Sequence, residues 1–350
     1  MPLHPLVGHS EARRRVAGAL AQGRLPHTIL VSGPPGVGKQ RFALWVAQLL
    51  LCEHPGQEPC GECPPCRRVL GLGHPDLHWF VPIPRPKAGD PDKAVDEADD
   101  LLGEVMAGRR ENPLWTPPDG MASHGVASAR LLLRRASLTA AEGGRKVFVV
   151  GDAERLVPQE SSPEAANALL KVIEEPPRQT WFFLTAADPA RLLPTLRSRA
   201  APTRLKRLAD AEVRAFLSGL GLKGRDLEEK VAQAGGIIGR ATGDGGAAAK
   251  GRAAARAVLD AIRTGRGDWV EQALRQAPWQ ARGEFSTMLA ALAQELALDA
   301  RSGNGGNARL EGLVTSLERV REAQEFAQGN VNPQLLLATL AADLEEALCS

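Results

Sequence analysis

The stretch Gly33-Pro-Pro-Gly36-Val-Gly38-Lys39-Gln40 has the spacing of a phosphate-binding loop, G-x-x-x-x-G-K-[ST], with one residue out of place. Glycines at 33, 36 and 38 let the backbone turn closely around an anion, and Lys39 is set to reach β- and γ-phosphates. The last position should carry a Ser or Thr hydroxyl to hold Mg²⁺. Gln40 stands there instead, with an amide oxygen on a longer stem, a poor replacement. The alternative, a glycine-rich turn that meets no phosphate, is disfavoured by its flanks. His27–Ser32 reads as a buried strand and Arg41–Leu50 as a helix, so the loop opens a helix N-terminus where N–H groups and the dipole favour an anion.

A second group able to do chemistry is Cys52-x₇-Cys60-x₂-Cys63-x₂-Cys66. Four thiols at this spacing, with Gly and Pro between them, suit tetrahedral Zn²⁺. An iron–sulfur cluster fits less well, because the C-x₃-C-P ending is missing. Four thiolates would leave no open coordination position, so such a site is structural. Cys349 is left over.

A third group lies at strand ends. Lys146–Val150 reads as a short strand closing on Gly151-Asp152, an acid where a phosphate-loop protein holds Mg²⁺ through water. The next residue would ordinarily be the Glu that activates the attacking water, but it is Ala153, with Glu154 one position on. A one-residue step turns a side chain by about 180° on a strand or about 100° on a helix, so Glu154 is not expected to substitute. Gln40 and Ala153 together predict slow or absent hydrolysis at this chain's own site. Thr185 ends the strand Trp181–Thr185, where it faces a γ-phosphate or simply caps the strand.

The elements that must position these groups follow from the chain around them. A length of 350 residues suggests about two or three domains, and 43% hydrophobic residues can fill real cores. A net charge of +2 gives no global nucleic-acid footprint, so any DNA contact must be local. No apolar run reaches the roughly 18 residues of a membrane span, and the N-terminus does not read as a signal peptide. The cytoplasm is the expected compartment, where clustered cysteines are ligands rather than disulfides. Ser10 is the expected N-cap of a helix to about Gln22, and His78–Val81 reads as a strand. Residues 83–122 are rich in Pro, Gly and Asp and read as an exposed insertion, with a helix over 93–106 and a solvated acidic face. Helices are expected at Val126–Ala141, with Leu131, Leu132 and Leu138 on the apolar side, at 164–175 and at 189–197. Alternation of strand and helix to about residue 205 predicts a parallel α/β sheet. Beyond it the pattern is helical: 210–219, 225–234, 247–264, 267–276, 280–301, 307–327 and 333–347, with glycine-rich punctuation at 235–239 and 243–246.

These residues resemble a family. Val7-Gly8, Leu25-Pro-His27, the loop at 33–39, the four cysteines, His74-Pro-Asp76, Asn167–Pro177 and Leu192–Arg199 are similar to the clamp-loader subunits of bacterial DNA polymerase III, within the AAA+ ATPases, and most of all to their delta-prime branch. The resemblance covers most of residues 4–205 and is weak beyond 250. It implies an AAA+ domain over 1–205 with a zinc module at 52–66 and the acidic insertion, a small helical lid at 206–246, and a collar bundle at 247–350. It places Val7 and Gly8 beside Gly33, Gly36, Gly38, Lys39, Gln40, Asp152 and Thr185 at the nucleotide site, with ATP or ADP bound weakly or not at all. It implies that Arg199, in Ser198-Arg199-Ala200 where the family has Ser-Arg-Cys, is an arginine finger for a neighbouring subunit's ATP site. A planar, permanently charged guanidinium suits that task, contributing roughly 10³–10⁵ in rate in other phosphoryl transfers; a surface ion pair is the alternative. Arg240 lies near the place of a sensor arginine. The implied partners are gamma/tau-type motor subunits and a delta subunit in a hetero-pentamer, the sliding clamp, and primer–template DNA gripped without sequence readout near the helix that begins at Glu164, all within the polymerase III holoenzyme. Gln40 and Ala153 favour a stator over a gamma/tau-like motor, and the cysteine module argues against an unrelated phosphate-loop ATPase.

Overall fold

The computed structural model describes residues 3–112, 122–156, 164–242, 247–264, 267–275, 282–302, 307–327 and 331–349. Residues 113–121 of the expected insertion and the glycine-rich 243–246 lie outside them. The chain divides into two compact units, one running through residue 243 and one from residue 244 onward.

The first unit is built on a parallel sheet of β1 (Thr28–Ser32), β2 (Leu77–Phe80), β3 (Lys146–Val150), β4 (Thr180–Ala186) and β5 (Ala201–Arg204), in the order β2-β3-β4-β1-β5. β3 and β4 are buried along their whole length, as near-continuous apolar runs in a parallel sheet should be. One face packs α1 (Ser10–Ala21), α2 (Lys39–Leu51) and α3 (Pro64–Leu70) around Phe42, Val46, Leu49 and Phe183. The other packs α4 (Pro91–Glu111), α5 (Val126–Ser137), α6 (Glu164–Glu174) and α7 (Pro194–Arg199) around Leu102, Leu131, Phe148 and Phe182. Three short helices complete the unit, α8 (Asp210–Gly219), α9 (Gly224–Ala234) and α10 (Ile238–Thr242), with a core of their own at Val213, Leu217 and Val231. The second unit is helical: α11 (Ala247–Arg263), α12 (Trp269–Arg275), α13 (Arg282–Ser302), α14 (Asn307–Phe326) and α15 (Pro333–Cys349) surround Leu289, Leu292, Val320 and Leu344.

Several local expectations change. The cap of α1 is His9, in the left-handed region at φ 56°, and Ser10 is the first helical residue. Residues 91–111 are one long helix, capped by Asp90 through the N–H groups of Asp92 and Lys93, and its Val95, Ala98 and Leu102 are buried. The segment is therefore part of the core on that side of the sheet, and only its outer face is solvated. There Asp96 and Asp99 meet Arg134 of α5 at 2.9 and 3.6 Å, and Asp99 also pairs with Arg135. Helix α5 stops at Ser137, which leaves Leu138 62% exposed just past its end. The expected helix over 189–197 is two pieces, a single 3₁₀ turn at Pro189–Arg191 and then α7 starting on Pro194, which cannot donate into a preceding turn.

Candidate functional site

The site forms at the C-terminal ends of β1, β3 and β4, where open α/β sheets present ligand-binding loops. The loop after β1 turns at Gly33, Gly36 and Gly38, with φ of 152°, 78° and 100°. A β-carbon at Gly33 would lie 2.6 Å from the Leu205 carbonyl, and one at Gly36 3.1 Å from Ile237. Gly239 donates its N–H to the Gly36 carbonyl at 3.0 Å. The loop is thus bound from outside by Ile237 and the first turn of α10. Arg240, the sensor candidate, sits in α10 one residue past that contact. On the other side Gly8, at φ 70°, packs against Leu208, and the adjacent His9 ring bonds the Val37 carbonyl at 3.0 Å. Val7 and Gly8 therefore border the loop through His9, a residue the sequence reading had passed over.

Lys39 is buried at the start of α2 and folds back on its own loop, donating to the carbonyls of Gly33 at 3.0 Å and Pro34 at 3.1 Å. Burial lowers its pKa, while the nearby Asp152 and Glu154 carboxylates act to raise it. Asp152 follows β3 in the left-handed region, φ 51°, and its N–H donates to the Thr185 hydroxyl at 3.0 Å. Thr185 is fully buried and braces β4 to the turn after β3. That turn alters the consequence of the step from Ala153 to Glu154. Ala153 opens a 3₁₀ turn with its side chain in the core, while the Glu154 carboxyl is buried within electrostatic reach of Lys39. Glu154 accepts the Ala187 N–H at 2.8 Å through Oε1, and Oε2 has no hydrogen-bond partner among the described residues.

Gln40 is the pivot. Its Nε2 donates to Asp152 Oδ2 at 3.2 Å, and its Oε1 accepts from Trp79 Nε1 at 3.1 Å and from Arg109 at 3.4 Å. Chemistry fixes the amide's orientation: an ionised carboxylate can only accept, and indole and guanidinium can only donate. Arg109 reaches the site from the last turn of α4, 8% exposed, with its guanidinium 3.9 Å over the Trp79 ring. Burial draws its pKa down to about 10, so it stays charged at neutral pH beside Asp152. Neither Arg109 nor Trp79 was a sequence candidate. These residues do not fit Mg²⁺. A metal ligand at position 40 must present an oxygen towards the acid, whereas Gln40 presents an N–H and commits its oxygen elsewhere.

The four cysteines converge. Cys52 caps the C-terminus of α2, Cys63 the N-terminus of α3, Cys66 lies within α3, and all four sulfurs are within 4.8 Å of one another. Cys60–Cys66 and Cys52–Cys63 are 3.9 Å apart, against about 3.8 Å for the edge of a tetrahedron built on zinc–sulfur bonds. Backbone N–H groups of His54 and Cys60 point at the Cys52 sulfur, and that of Cys63 at the Cys60 sulfur. The Cys63 and Glu62 N–H groups pull the Cys60 thiol down to about 6. The donor set and spacing fit a tetrahedral thiolate metal.

Arg199 lies apart from the loop cluster, at the exposed C-terminal end of α7. It pairs with Glu174 at the end of α6 and donates to the Thr195 carbonyl at 2.9 Å. No helix among the described residues is long and apolar enough to cross a membrane.

The chain is 34% identical over 187 residues to the DNA polymerase III subunit delta' of Yersinia pestis, which spans 53% of this chain and 43% of that protein. It is 30% identical over 214 residues to a subunit gamma/tau of Mycobacterium bovis, spanning 61% of this chain and 30% of that protein. Among solved structures, a DNA polymerase III gamma subunit-related protein of Thermotoga maritima aligns over 97% of this chain and 99% of its own at 14% identity and a TM-score of 0.46. The sequence profile described as "DNA polymerase III, delta subunit" matches residues 8–209, which include the loop, the cysteine cluster and Arg199. With that match over more than half its length, the chain belongs to the DNA polymerase III delta subunit family.

Proposed function

We propose that this chain is a delta-prime-type subunit of a bacterial clamp loader, a stator whose own ATP site is inactive and whose Arg199 completes the ATP site of a neighbouring subunit. The observation that carries the reading is Gln40. In a family member with an otherwise complete phosphate loop, the metal position is filled by an amide bonded to Asp152. Such a site holds its shape without turning over ATP. Arg199 suits the donor role because it is held by an exposed pair with Glu174 and one bond to the Thr195 carbonyl at the end of its own helix, and exposed pairs contribute at most about 1 kcal/mol. A neighbour's triphosphate outbids that carboxylate.

On this reading the four cysteines hold structural Zn²⁺, α8–α10 form the lid, and the second unit forms the collar that joins gamma/tau-type and delta subunits in a cytoplasmic hetero-pentamer. ATP binding in the motor subunits closes that ring on primer–template DNA and opens the sliding clamp, and hydrolysis assisted by Arg199 releases it. DNA is held by its phosphates at helix N-termini, α6 among them, without sequence readout. The second reading, a gamma/tau-like motor, is weighed against by Gln40 and by Ala153.

The test is ATP turnover by the reconstituted loader with clamp and primed DNA. Arg199→Ala is expected to cut turnover at least tenfold while Lys39→Ala changes it less than twofold. Arg199→Lys should not rescue, because an ammonium lacks the planar fork. A larger loss from Lys39→Ala than from Arg199→Ala would make the chain a motor.

A further inference from the structure

We infer that the phosphate loop of this chain takes a nucleoside diphosphate without a divalent cation, and that Gln40 and Arg109 set this choice. The inference rests on reading the loop as a phosphate cradle in a subunit that does not hydrolyse its own nucleotide.

The argument begins with charge. A magnesium-dependent loop neutralises the outer phosphates with a metal and a lysine, and the metal is held between a hydroxyl and an acid. Here the acid, Asp152, is already satisfied from within the protein. It accepts the Gln40 amide at 3.2 Å, and the buried Arg109 guanidinium compensates its charge. Arg109 is itself held by the Trp79 ring at 3.9 Å and by Gln40 Oε1 at 3.4 Å. Metal entry would require Gln40 to release Asp152, leaving its N–H without that acceptor, and to bring a second cation close to Arg109 in a buried site. Both changes are costly in a low-dielectric interior.

Packing makes the arrangement rigid. The Gln40 amide lies flat over Gly151, so close that a β-carbon there would sit 2.7 Å from its Cδ and Nε2. The Gly151 carbonyl is fixed by the buried His124 ring at 2.7 Å and its N–H by the Phe80 carbonyl at 2.8 Å. The amide is clamped between β2, the turn after β3 and α4.

The choice of diphosphate follows from what remains. Lys39 is free to leave the Gly33 and Pro34 carbonyls for a phosphate, and the loop's N–H groups can cradle one. Asp152, bonded to Gln40 next to Lys39 in the chain, and the buried Glu154, bonded to the Ala187 N–H after β4, lie within electrostatic reach of Lys39. A third phosphate would approach these two acids with no metal between, while a diphosphate ends at Lys39.

The experiment titrates the full chain with a fluorescent ADP analogue and with the matching ATP analogue. Buffers are stripped of divalent ions on a resin, without added chelator so that a metal on the cysteines stays in place, and the titration is repeated with millimolar Mg²⁺. We expect the ADP affinity to agree within threefold between the two buffers, ATP to bind at least tenfold more weakly, and Lys39→Ala to abolish binding. Gln40→Thr should make ADP binding at least tenfold stronger with Mg²⁺ than without. If that variant fails to melt cooperatively, the wild-type comparison decides alone. A tenfold loss of ADP affinity in Mg²⁺-free buffer, a preference for ATP, or no binding of either at millimolar concentration overturns the proposal. The assay uses the isolated chain and does not involve Arg199, so its failure leaves the finger reading standing, and failure of the finger in the loader leaves this one standing.

Discussion

Two histidines show how single residues couple this fold to pH. Burial, helped by Arg135, Lys146 and His74, pushes His78 down to about 3, and burial pushes His124 down to about 4. His124 holds the Gly151 carbonyl at 2.7 Å through its ring Nε2, and it is the loss of water around the ring that disfavours its charged form. Between these values and the ordinary 6.5, the unfolded chain binds protons that the folded chain refuses. Stability therefore rises with pH across that window and falls on acidification. Denaturant unfolding at pH 7.5 and pH 5 should differ by roughly 2 kcal/mol for each histidine, and His124→Gln should flatten its share of the slope. At the same scale the sequence was only half legible. Gln40 and Ala153 stand out because the loop and strand-end patterns say what should be there. Arg109 does not, because it lies 69 residues from Gln40 on a helix whose composition reads as solvated acid.

At the scale of elements, α4 departs furthest from its sequence reading. Its run of aspartates dominates the composition, yet Val95, Ala98 and Leu102 recur at helical spacing and are 6%, 0% and 3% exposed. That stripe was the available signal, and it was outweighed by the Pro and Gly residues around it. Leu102→Ala should therefore cost about 2–5 kcal/mol, as in other cores, measured by urea unfolding; a cost near zero would return the segment to the solvent. The mixed surface of α4 has a use as well. Asp96 and Asp99 pair with Arg134 and Arg135 of α5 and add to the buried Val95, Ala98 and Leu102 stripe in setting how α4 lies and where Arg109 arrives. β5 escaped notice for a different reason. Ala201-Pro-Thr-Arg204 has no apolar run, and it is a strand because β1 offers it an edge. Proline is tolerated at such an edge.

For the whole molecule, the family match ends at residue 209, while the first compact unit continues to residue 243. The parallel sheet and the helical C-terminal region were legible because long apolar runs and helical spacing survive in any sequence that must bury them. The fold of the second unit carries no comparable motif, since many leucine patterns pack equally well into helical bundles. A chain ending at residue 243 should fold alone, because the sheet, the cysteine cluster and the α8–α10 core all lie within its own unit. It should purify with one equivalent of zinc by metal analysis and melt in one transition. Cys66→Ser, which removes a thiol buried in α3, should lose the expected metal and lower the melting temperature. Metal-free wild-type protein would leave the cysteines as a thiol cluster only.

The contact between Gly151 and the Gln40 amide also constrains how this chain can change over time. While Gln40 keeps its partners, any side chain at 151 collides with it. A lineage that acquires Ser or Thr at 40 is released from that collision, and a β-branched residue, which suits the end of a buried strand, can then settle at 151. The two positions, 111 residues apart in sequence, should drift together: glycine at 151 wherever 40 is Gln, and larger residues at 151 where 40 is small.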